Sequence, residues 1–458
     1  MAVNFKYDKI IKYEAVAVCT QPLHIGSAVG DKEEVLIHPV DDIPFIQATS
    51  IAGVFRNYYE KINKEAVGKL FGEMRSDMDE SESVSGRGSR LRFTDGVFLK
   101  ENKGTFLELR PRVSINPISG SCEQSIIKGT NRASGHKFNM EYIGAGAEFK
   151  FCVYLYDISQ KENIEEIFAA LHQENISFGG QKSNGCGSIK LEHLYCKVFD
   201  MKKQEDRMLW KKEDELELCY YEDILPLLKK SKTSLNVYDL MVEGETEGSL
   251  LVKSIGVADH SNEGAKCENI RNAKKEYIIP GSSFKGAIRS QMSKIAFYLH
   301  QENVIENTFG TAGNQENQGK TGNIRFFDTI VGDKEENDMA EKSHRIHIDK
   351  FTGGVMHGGI FTEKNVAGKL QFKIGIEDKN EPEKSCGILL MALRDLAIGT
   401  MNIGSGYNVG KGIIKVKTIR IQDNKNNRTA VIDFETNQVQ DEGSLMKECI
   451  SSVQRSGM

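Results

Sequence analysis

The chain has 458 residues, of which 39% are hydrophobic and 27% are charged, and its formal net charge is −5 at pH 7. This composition excludes a disordered protein, and the length predicts two or three domains of about 150 residues each. No run of about 18 apolar residues occurs, so no membrane span is predicted. The N-terminus alternates in polarity and lacks the apolar block of a signal peptide, so a cytoplasmic location is expected.

The net charge leaves nucleic-acid binding open, whereas the spacing of the cysteines argues against two kinds of cysteine site. Net acidity argues against nucleic-acid binding, but it is concentrated in segments 73–82, 200–218 and 333–342, so a basic groove elsewhere is still possible. The nine cysteines form no CxxC pair. We therefore predict reduced cysteines, with neither a disulfide framework nor a zinc cluster.

An internal repeat predicts two homologous domains, 1–198 and 233–422, joined by a charged connector at 199–232 and followed by a polar extension at 423–458. Three pairs of blocks share an offset of 233 residues, and a fourth, Gly-rich pair has an offset of 225. The pairs are IQATSIAGVFR (46–56) with IPGSSFKGAIR (279–289), LRFTD (91–95) with IRFFD (324–328), RVSIN (112–116) with RIHID (345–349), and FGGQKSNGCGSIK (178–190) with IGSGYNVGKGIIK (403–415).

Hydrophobic periodicity predicts the element order β-α-β-β-α-β in each half. Strands are predicted at KIIKYEAVAVCT, RLRFTDGVFL and NIRFFDTIV, for example, and helices follow the blocks at 46–56 and 279–289. Ser50 and Ser283 are predicted as the helix N-caps. This order is that of the ferredoxin-like unit, so we predict an α+β fold with two tandem ferredoxin-like, RRM-like domains. In the extension, TAVIDFE is predicted as a strand, followed by a short helix.

The SSFKG block places hydroxyls, backbone amides and a lysine at a helix start. Such an end binds phosphate oxygens through its free N–H groups and the positive end of the helix dipole. Ser282, Ser283, Lys285 and Arg289 are the candidates in the second half, and Ser50 and Arg56 in the first half, where Ala52 replaces the lysine. An ordinary helix start with a packing glycine remains the alternative.

The two Gly-rich blocks predict tight turns between a helix and a strand. Glycine permits positive φ and the close approach of a ligand. These turns place further candidates for RNA phosphates or bases, with a purely structural connection as the alternative. The candidates are Lys182, Ser183, Asn184, Tyr407, Asn408 and Lys411.

The LHIGSAVGD segment (23–31) contains His24, a candidate for contacting a nucleotide, and Asp31, a loop carboxylate. Two other patterns are excluded. GNQENQGKT has the wrong glycine spacing for a phosphate-binding loop and follows no strand. His344 and His347 would face opposite sides of a strand, so they do not share a metal ion.

These motifs together resemble the RAMP superfamily. The LHIG segment, the I-P-G-S-S-x-K-G-x-x-R helix start, R-I-x-I-D before a Gly-bounded hairpin, and the final G-x-G-x-x-x-G-x-G are similar to backbone subunits of type III CRISPR effector complexes. Two such domains in one chain resemble the tandem subunit of type III-D-like systems.

The resemblance implies a function. Such subunits bind the CRISPR guide RNA, kink it with a projecting thumb hairpin, and cleave complementary target RNA beside each kink. The reaction uses a loop aspartate and Mg²⁺ or another divalent metal ion, which is not a tightly bound structural metal, while a ribose 2′-OH attacks the phosphate. The implied partners are the guide RNA, target RNA and other subunits of the complex, with no membrane.

The resemblance also assigns residues. HPVDDIPFIQATS (38–50) is similar to the stretch that follows the catalytic aspartate, which makes Asp31 the first candidate for catalysis and metal binding, with Asp41 and Asp42 as substitutes. The second half has no aspartate at the matching place. Glu268 or Asp259 would replace it there, or that domain binds RNA without cutting.

The thumbs are expected at 113–137 and 346–360, with Ile118, Ile126 and Met356 as candidate wedges between bases. Two alternative functions remain open from the sequence. One is a non-catalytic, structural guide-RNA-binding subunit. The other is a stand-alone, metal-independent RAMP endoribonuclease that processes the guide precursor with His24 as its base.

Overall fold

The computed structural model describes most of the chain, in two compact units. The described residues are 7–26, 34–72, 88–99, 107–116, 124–126, 133–135, 137–229, 234–254, 265–311, 319–332 and 341–454. Unit 1 comprises Met1–Leu107, Tyr142–Gly180 and Cys186–Ser234, and unit 2 comprises Glu108–Glu141, Gln181–Gly185 and Leu235–Met458. Two short segments of the first sequence copy therefore belong to unit 2.

In the first half of the chain, strands and helices follow the predicted order. The strands are β1 (Lys9–Cys19), β2 (Phe45–Ile46), β3 (Leu91–Phe93), β4 (Gly96–Phe98), β5 (Leu107–Val113), β6 (Gln124–Ile126), β7 (Ala133–Gly135), β8 (Lys137–Ile143), β9 (Glu148–Leu155), β10 (Ile189–Asp200) and β11 (Glu222–Asp223). The helices are α1 (Ala48–Ile62), α2 (Val67–Phe71), α3 (Lys161–His172) and α4 (Gln204–Trp210).

Unit 1 is built on an antiparallel sheet with the order β11-β10-β1-β9-β4-β2, and β3 also pairs with β9. The central strands β10, β1, β9 and β3 are the fourth, first, third and second of the predicted unit, which is the ferredoxin-like arrangement. Alternate residues of β9 are buried, and Phe151 meets Phe55 of α1 edge to face. Phe55 also contacts Phe168 of α3, so both helices share this core.

The connector packs as part of unit 1. Trp210 of α4 contacts the rings of Phe199 and Tyr154 edge-on. The buried ammonium of Lys12 in β1 forms an ion pair with Glu213 just beyond α4. Burial of this paired charge fixes the connector against the sheet.

The second half repeats the arrangement in unit 2. Its strands are β12 (Asn236–Glu247), β13 (Ala265–Glu268), β14 (Ile278–Ile279), β15 (Gly310–Thr311), β16 (Lys320–Thr321), β17 (Ile324–Phe326), β18 (Thr329–Ile330), β19 (Glu341–Ile348), β20 (Val355–Asn365), β21 (Lys369–Glu377), β22 (Ile413–Asp423), β23 (Arg428–Asp433) and β24 (Gln438–Asp441). Its helices are α5 (Gly281–Tyr298), α6 (Glu302–Phe309), α7 (Pro382–Ala397) and α8 (Leu445–Gln454).

The sheet of unit 2 has the order β17-β21-β12-β22-β23-β24. Its first four strands reproduce the order of unit 1, so the prediction of an α+β fold with two ferredoxin-like domains is confirmed. The predicted strand and helix of the extension are also present, as β23 and α8. Leu445, Cys449 and Val453 of α8 are buried in the same core as α7.

Hairpins occur where thumbs were predicted. β19 and β20 pair antiparallel, with Ile346 opposite Ile360, and β13 adds a parallel strand to β20. In the first copy, β5 pairs with β8, and β6 with β7. Among the helices of the described ranges, none is long and apolar enough to cross a membrane.

The predicted N-caps are wrong. α1 begins at Ala48 and α5 at Gly281, so Ser50 and Ser283 lie within the first turns. The first amides are capped instead by remote aspartates: the Ala48 amide donates to Asp95 Oδ1 at 2.7 Å, and the Gly281 amide to Asp328 Oδ1 at 2.8 Å. Asp95 and Asp328 are equivalent positions of the repeat, and each follows a short strand that delivers its carboxylate to the helix.

Candidate functional site

The start of α5 lies against the first Gly-rich loop, residues 181–185, and both belong to unit 2. The contact depends on glycine. A Cβ at position 281 would lie 2.3 Å from the Phe326 carbonyl oxygen and 2.6 Å from that of Asn184. A Cβ at Gly185 would lie 2.2 Å from the Phe326 oxygen, and the φ of +77° at Gly185 also favours glycine. Backbone therefore packs directly on backbone here.

Polar side chains hold this loop in shape. Residues Lys182–Asn184 form one 3-10 turn, preceded by Gln181 at a φ of +58°. The Asn184 side-chain amide donates to Gln181 Oε1 at 2.6 Å, and Arg112 of β5 donates to the same atom at 3.0 Å. The turn thereby presents Ser183 to α5, while Lys182 is exposed.

Lys285 is the side chain of α5 that bonds to the loop. Its ammonium donates to Ser183 Oγ at 2.8 Å. Burial, together with the nearby positive charges of Arg289 and Arg112, lowers the pKa of Lys285 to about 8. Arg289 lies one helical turn further along α5 and is exposed.

Arg110, two residues before Arg112 on β5, already engages two carboxylates. Arg110 Nη1 donates to Asp328 Oδ2 at 2.6 Å, and Arg110 Nε to Glu108 Oε2 at 2.8 Å. The other oxygens of these two carboxylates accept backbone amides, from Gly281 and Ala273. Within the described ranges, no carboxylate forms an ion pair with Lys285 or Arg289, so these two residues give the cluster that they form with Arg112 an uncompensated positive charge beside a helix start. Such a cluster suits an anion such as a phosphate.

The predicted RNA-contacting residues of the second Gly-rich loop differ in their exposure to solvent. Tyr407 and Asn408 are exposed at its 3-10 turn. Lys411 is buried, and its ammonium contacts Glu363 Oε2 at 2.5 Å and Asn365 Oδ1 at 2.6 Å. We therefore assign Lys411 a structural role, anchoring the loop to β20, rather than a contact with RNA.

His24, Ser50 and Arg56, the predicted residues that belong to unit 1, have local partners of their own. His24 is only 5% exposed and packs against Tyr142, and its carbonyl oxygen accepts the Gly180 amide. Arg56 donates to the Gly72 carbonyl at 3.3 Å, and Ser50 is half-buried on α1. In the second copy, Ser282 and Ser283 are half-buried in the first turn of α5, beside Lys285.

The predicted acidic residues do not form a common site among the described residues. Asp31 and Asp259 lie outside the described ranges. Asp42 is exposed in a turn, where its amide donates to the His38 oxygen. Asp41 lies 3.3 Å from His38 Nδ1, and Glu268 is exposed at the end of β13. The described part of the chain has no group of three His, Cys, Asp or Glu side chains able to hold a metal ion.

The structure describes only some of the candidate thumb residues. Ile118 lies outside the described residues, and Ile126 is described only as backbone in β6. Met356 is exposed on β20, as are Ile346 and Ile360 on the same hairpin. Phe351, at the hairpin tip, is the most exposed of these apolar side chains, and the sequence reasoning missed it.

Sequence reasoning also missed Arg112, Gln181 and Asp328. Two of them carried a signal, because Arg112 and Asp328 lie in repeated blocks whose equivalents are Arg345 and Asp95. Gln181 carried no such signal, since its equivalent in the repeat is Gly406. Its role comes from the hydrogen bonds that its side-chain oxygen accepts from Asn184 and Arg112.

Comparison with known proteins places the chain in a family. A model of the RAMP superfamily matches residues 17–190 and 251–415, well over half of the chain and both halves of the repeat. The chain belongs to the RAMP superfamily. The predicted tandem arrangement of this RAMP protein is thereby confirmed.

Two further comparisons add little. A search of curated proteins found no match. Among solved structures, a chain in the cryo-EM structure of the type III-B Cmr-beta bound to cognate target RNA is similar at 16% identity, with a TM-score of 0.31. The match covers 42% of this RAMP protein and 61% of that chain, less than two thirds of its length.

Proposed function

We propose that this protein is a cytoplasmic guide-RNA-binding backbone subunit of a type III CRISPR effector complex. Its two RAMP regions support an RNA-binding role. The observation that carries the proposal is the uncompensated positive charge of Lys285 and Arg289 in the cluster with Arg112, with the Ser183 hydroxyl at its edge.

The cluster suits the backbone of RNA rather than its bases. Lys285 supplies a point charge, while the exposed Arg289 supplies a planar fork for phosphate oxygens. Contacts to phosphates position a nucleic acid but carry no sequence information. A subunit that must accept any guide sequence needs this kind of binding.

Removal of the cluster tests RNA binding. We expect the double substitution Lys285→Ala and Arg289→Ala to weaken binding of a single-stranded guide RNA by about tenfold or more, since two charge-assisted contacts are lost. Fluorescence anisotropy with a labelled guide measures this. Lys294→Ala is the matched control, because Lys294 is exposed on α5 and, nine residues from Lys285, lies on the opposite face. Equal losses in both variants would contradict the role of the cluster.

We propose further that the first domain takes part in cleaving complementary target RNA, with Asp31 as its carboxylate. A divalent metal ion from solution would supply stabilisation of the phosphate charge there. Asp42, Glu268 and Asp259 are the substitutes named by the sequence. The described residues assemble no metal site.

Asp31→Ala tests this second proposal in the assembled complex. The expected result is loss of one cleavage product while the guide remains bound, with Glu60→Ala, which removes an exposed carboxylate on α1 that has no proposed role, as the control. Persistence of every cut would overturn the assignment of Asp31, and absence of any metal-dependent cleavage in the unmodified complex would favour the structural, non-catalytic subunit. The metal-independent endoribonuclease is disfavoured because His24, its proposed base, is buried.

A further inference from the structure

The two Gly-rich loops have the same backbone but different surroundings. Both contain one 3-10 turn, Lys182–Asn184 and Tyr407–Val409, between residues of positive φ. The close packing at their ends is also the same. A Cβ at Gly187 would lie 2.0 Å from the Phe178 oxygen, and one at Gly412 would lie 2.0 Å from the Ile403 oxygen. We call residues 406–410 the open loop.

Among the residues that the structure describes, only the first loop is covered by other parts of the chain. Asn184 is 9% exposed and Gly185 is buried, because the start of α5 and the end of β17 lie on them. Their equivalents in the open loop are exposed: Val409 is 52% exposed, and Gly410 is exposed as well. An apolar valine at the equivalent of buried Asn184 indicates that the open loop also has a partner surface.

The covered loop shows what that surface must provide. Gly281 allows the Asn184 oxygen to approach, Lys285 donates to Ser183, and Asp328 accepts Arg110 from the strand beside the loop. A helix that begins with glycine, carries a lysine four residues later and is capped by an aspartate therefore fits this loop geometry. In the open loop, Asn408 stands at the place of Ser183 and offers an acceptor for such a lysine.

A second copy of this chain does not provide that surface. The start of α1 is the equivalent of the start of α5, but Ala48 replaces Gly281, and its methyl group would meet the incoming loop oxygen. Ala52 replaces Lys285, which removes the donor. On the loop side, Ser343 replaces Arg110, and its hydroxyl accepts the Asn365 amide at 2.8 Å. Three contacts of the covered loop would thus be missing if the open loop docked on the start of α1 in a second copy.

We infer that the open loop docks on the helix start of a different polypeptide, one that begins that helix with glycine and carries lysine four residues later. The docking resembles the covered loop in geometry, and Val409 becomes buried in it. The inference concerns a protein partner and does not depend on RNA binding at Lys285.

The experiment rebuilds the missing surface in the full chain. The receiver variant carries Ala48→Gly and Ala52→Lys to restore the helix start, and Val409→Asp to disable its own loop. The donor variant carries Ser343→Arg, which restores an arginine at the place of Arg110 to bind Asp95 of the receiver. Sedimentation velocity at micromolar concentration is expected to show monomers for the unmodified chain and for each variant alone, and a 1:1 complex when donor and receiver are mixed.

Two controls make the result specific. Adding Val409→Asp to the donor should abolish the complex, whereas adding Val439→Asp should not, since Val439 is equally exposed (59%) on β24. Circular dichroism of each variant verifies that it is folded. Absence of a complex between folded donor and receiver would overturn the docking geometry. Self-association of the unmodified chain, abolished by Val409→Asp, would identify a second copy as the partner and overturn the inference. Anisotropy on the same samples tests guide binding separately.

Discussion

At the scale of single residues, Lys285 shows how surroundings change a side chain. An exposed lysine is protonated at any physiological pH, but burial and two neighbouring arginines lower the pKa of Lys285 to about 8. A bound phosphate would offset both effects, because an anion favours the charged ammonium. RNA binding near pH 8 should therefore be coupled to proton uptake.

This coupling predicts a pH dependence of RNA binding. Below pH 8 Lys285 is charged, and above it the neutral amine prevails, so affinity should fall by up to about tenfold between pH 7 and pH 9. Anisotropy titrations at constant ionic strength measure this. Lys285→Arg should flatten the profile, since an arginine stays charged over this range. A profile of unchanged slope in that variant would show that another group titrates.

At the scale of elements, the strand and helix order followed from the sequence, but the helix starts did not. The run RLRFTDGVFL reads as one strand, yet it forms β3 and β4, separated at Thr94 and Asp95. The break has a physical reason, because Asp95 must leave the sheet to cap α1, 47 residues earlier in the chain. Local spacing rules identify caps within a helix turn and therefore selected Ser50 and Ser283.

The two caps predict different stabilities. Asp95→Ala should cost about 1 kcal/mol, the usual value for losing an N-cap acceptor. Asp328→Ala should cost about 2–3 kcal/mol, because it also removes one ion-pair partner of Arg110, which is buried.

Urea unfolding with two signals separates these effects. Trp210, the single tryptophan, reports on unit 1 through its fluorescence, whereas circular dichroism reports on both units. Asp95→Ala should shift the fluorescence transition, and Asp328→Ala should shift only the transition seen by circular dichroism. Equal shifts of fluorescence in both variants would contradict the assignment of the caps to separate units.

At the scale of the whole molecule, the net charge of −5 gives no bulk attraction for RNA. In the proposed function, RNA binding therefore comes from local charge, which the cluster in unit 2 would provide. That cluster draws Arg112 and Ser183 from the first sequence copy and Lys285 and Arg289 from the second. All four residues nevertheless lie in unit 2, because this unit includes Glu108–Glu141 and Gln181–Gly185 of the first copy.

A local cluster predicts a shallow salt dependence of RNA binding. If Lys285 and Arg289 each displace one counterion from single-stranded RNA, the logarithm of affinity against the logarithm of salt concentration has a slope of roughly −1.4. Lys285→Ala and Arg289→Ala should each reduce its magnitude by about 0.7. A slope several times steeper, unchanged by both substitutions, would place the binding surface elsewhere.

The amino-acid sequence by itself determined the repeat, the order of elements and the ferredoxin-like fold, because periodicity and block spacing are read along the chain, and it named several residues of the candidate site. Only the tertiary structure decided what these residues contact. Ser183 meets Lys285 across 102 positions, and Arg110 meets Asp328 across 218. The same packing buries His24 and pairs Lys411 with Glu363. A residue type states which bonds a side chain is able to form, but long-range packing selects its partner.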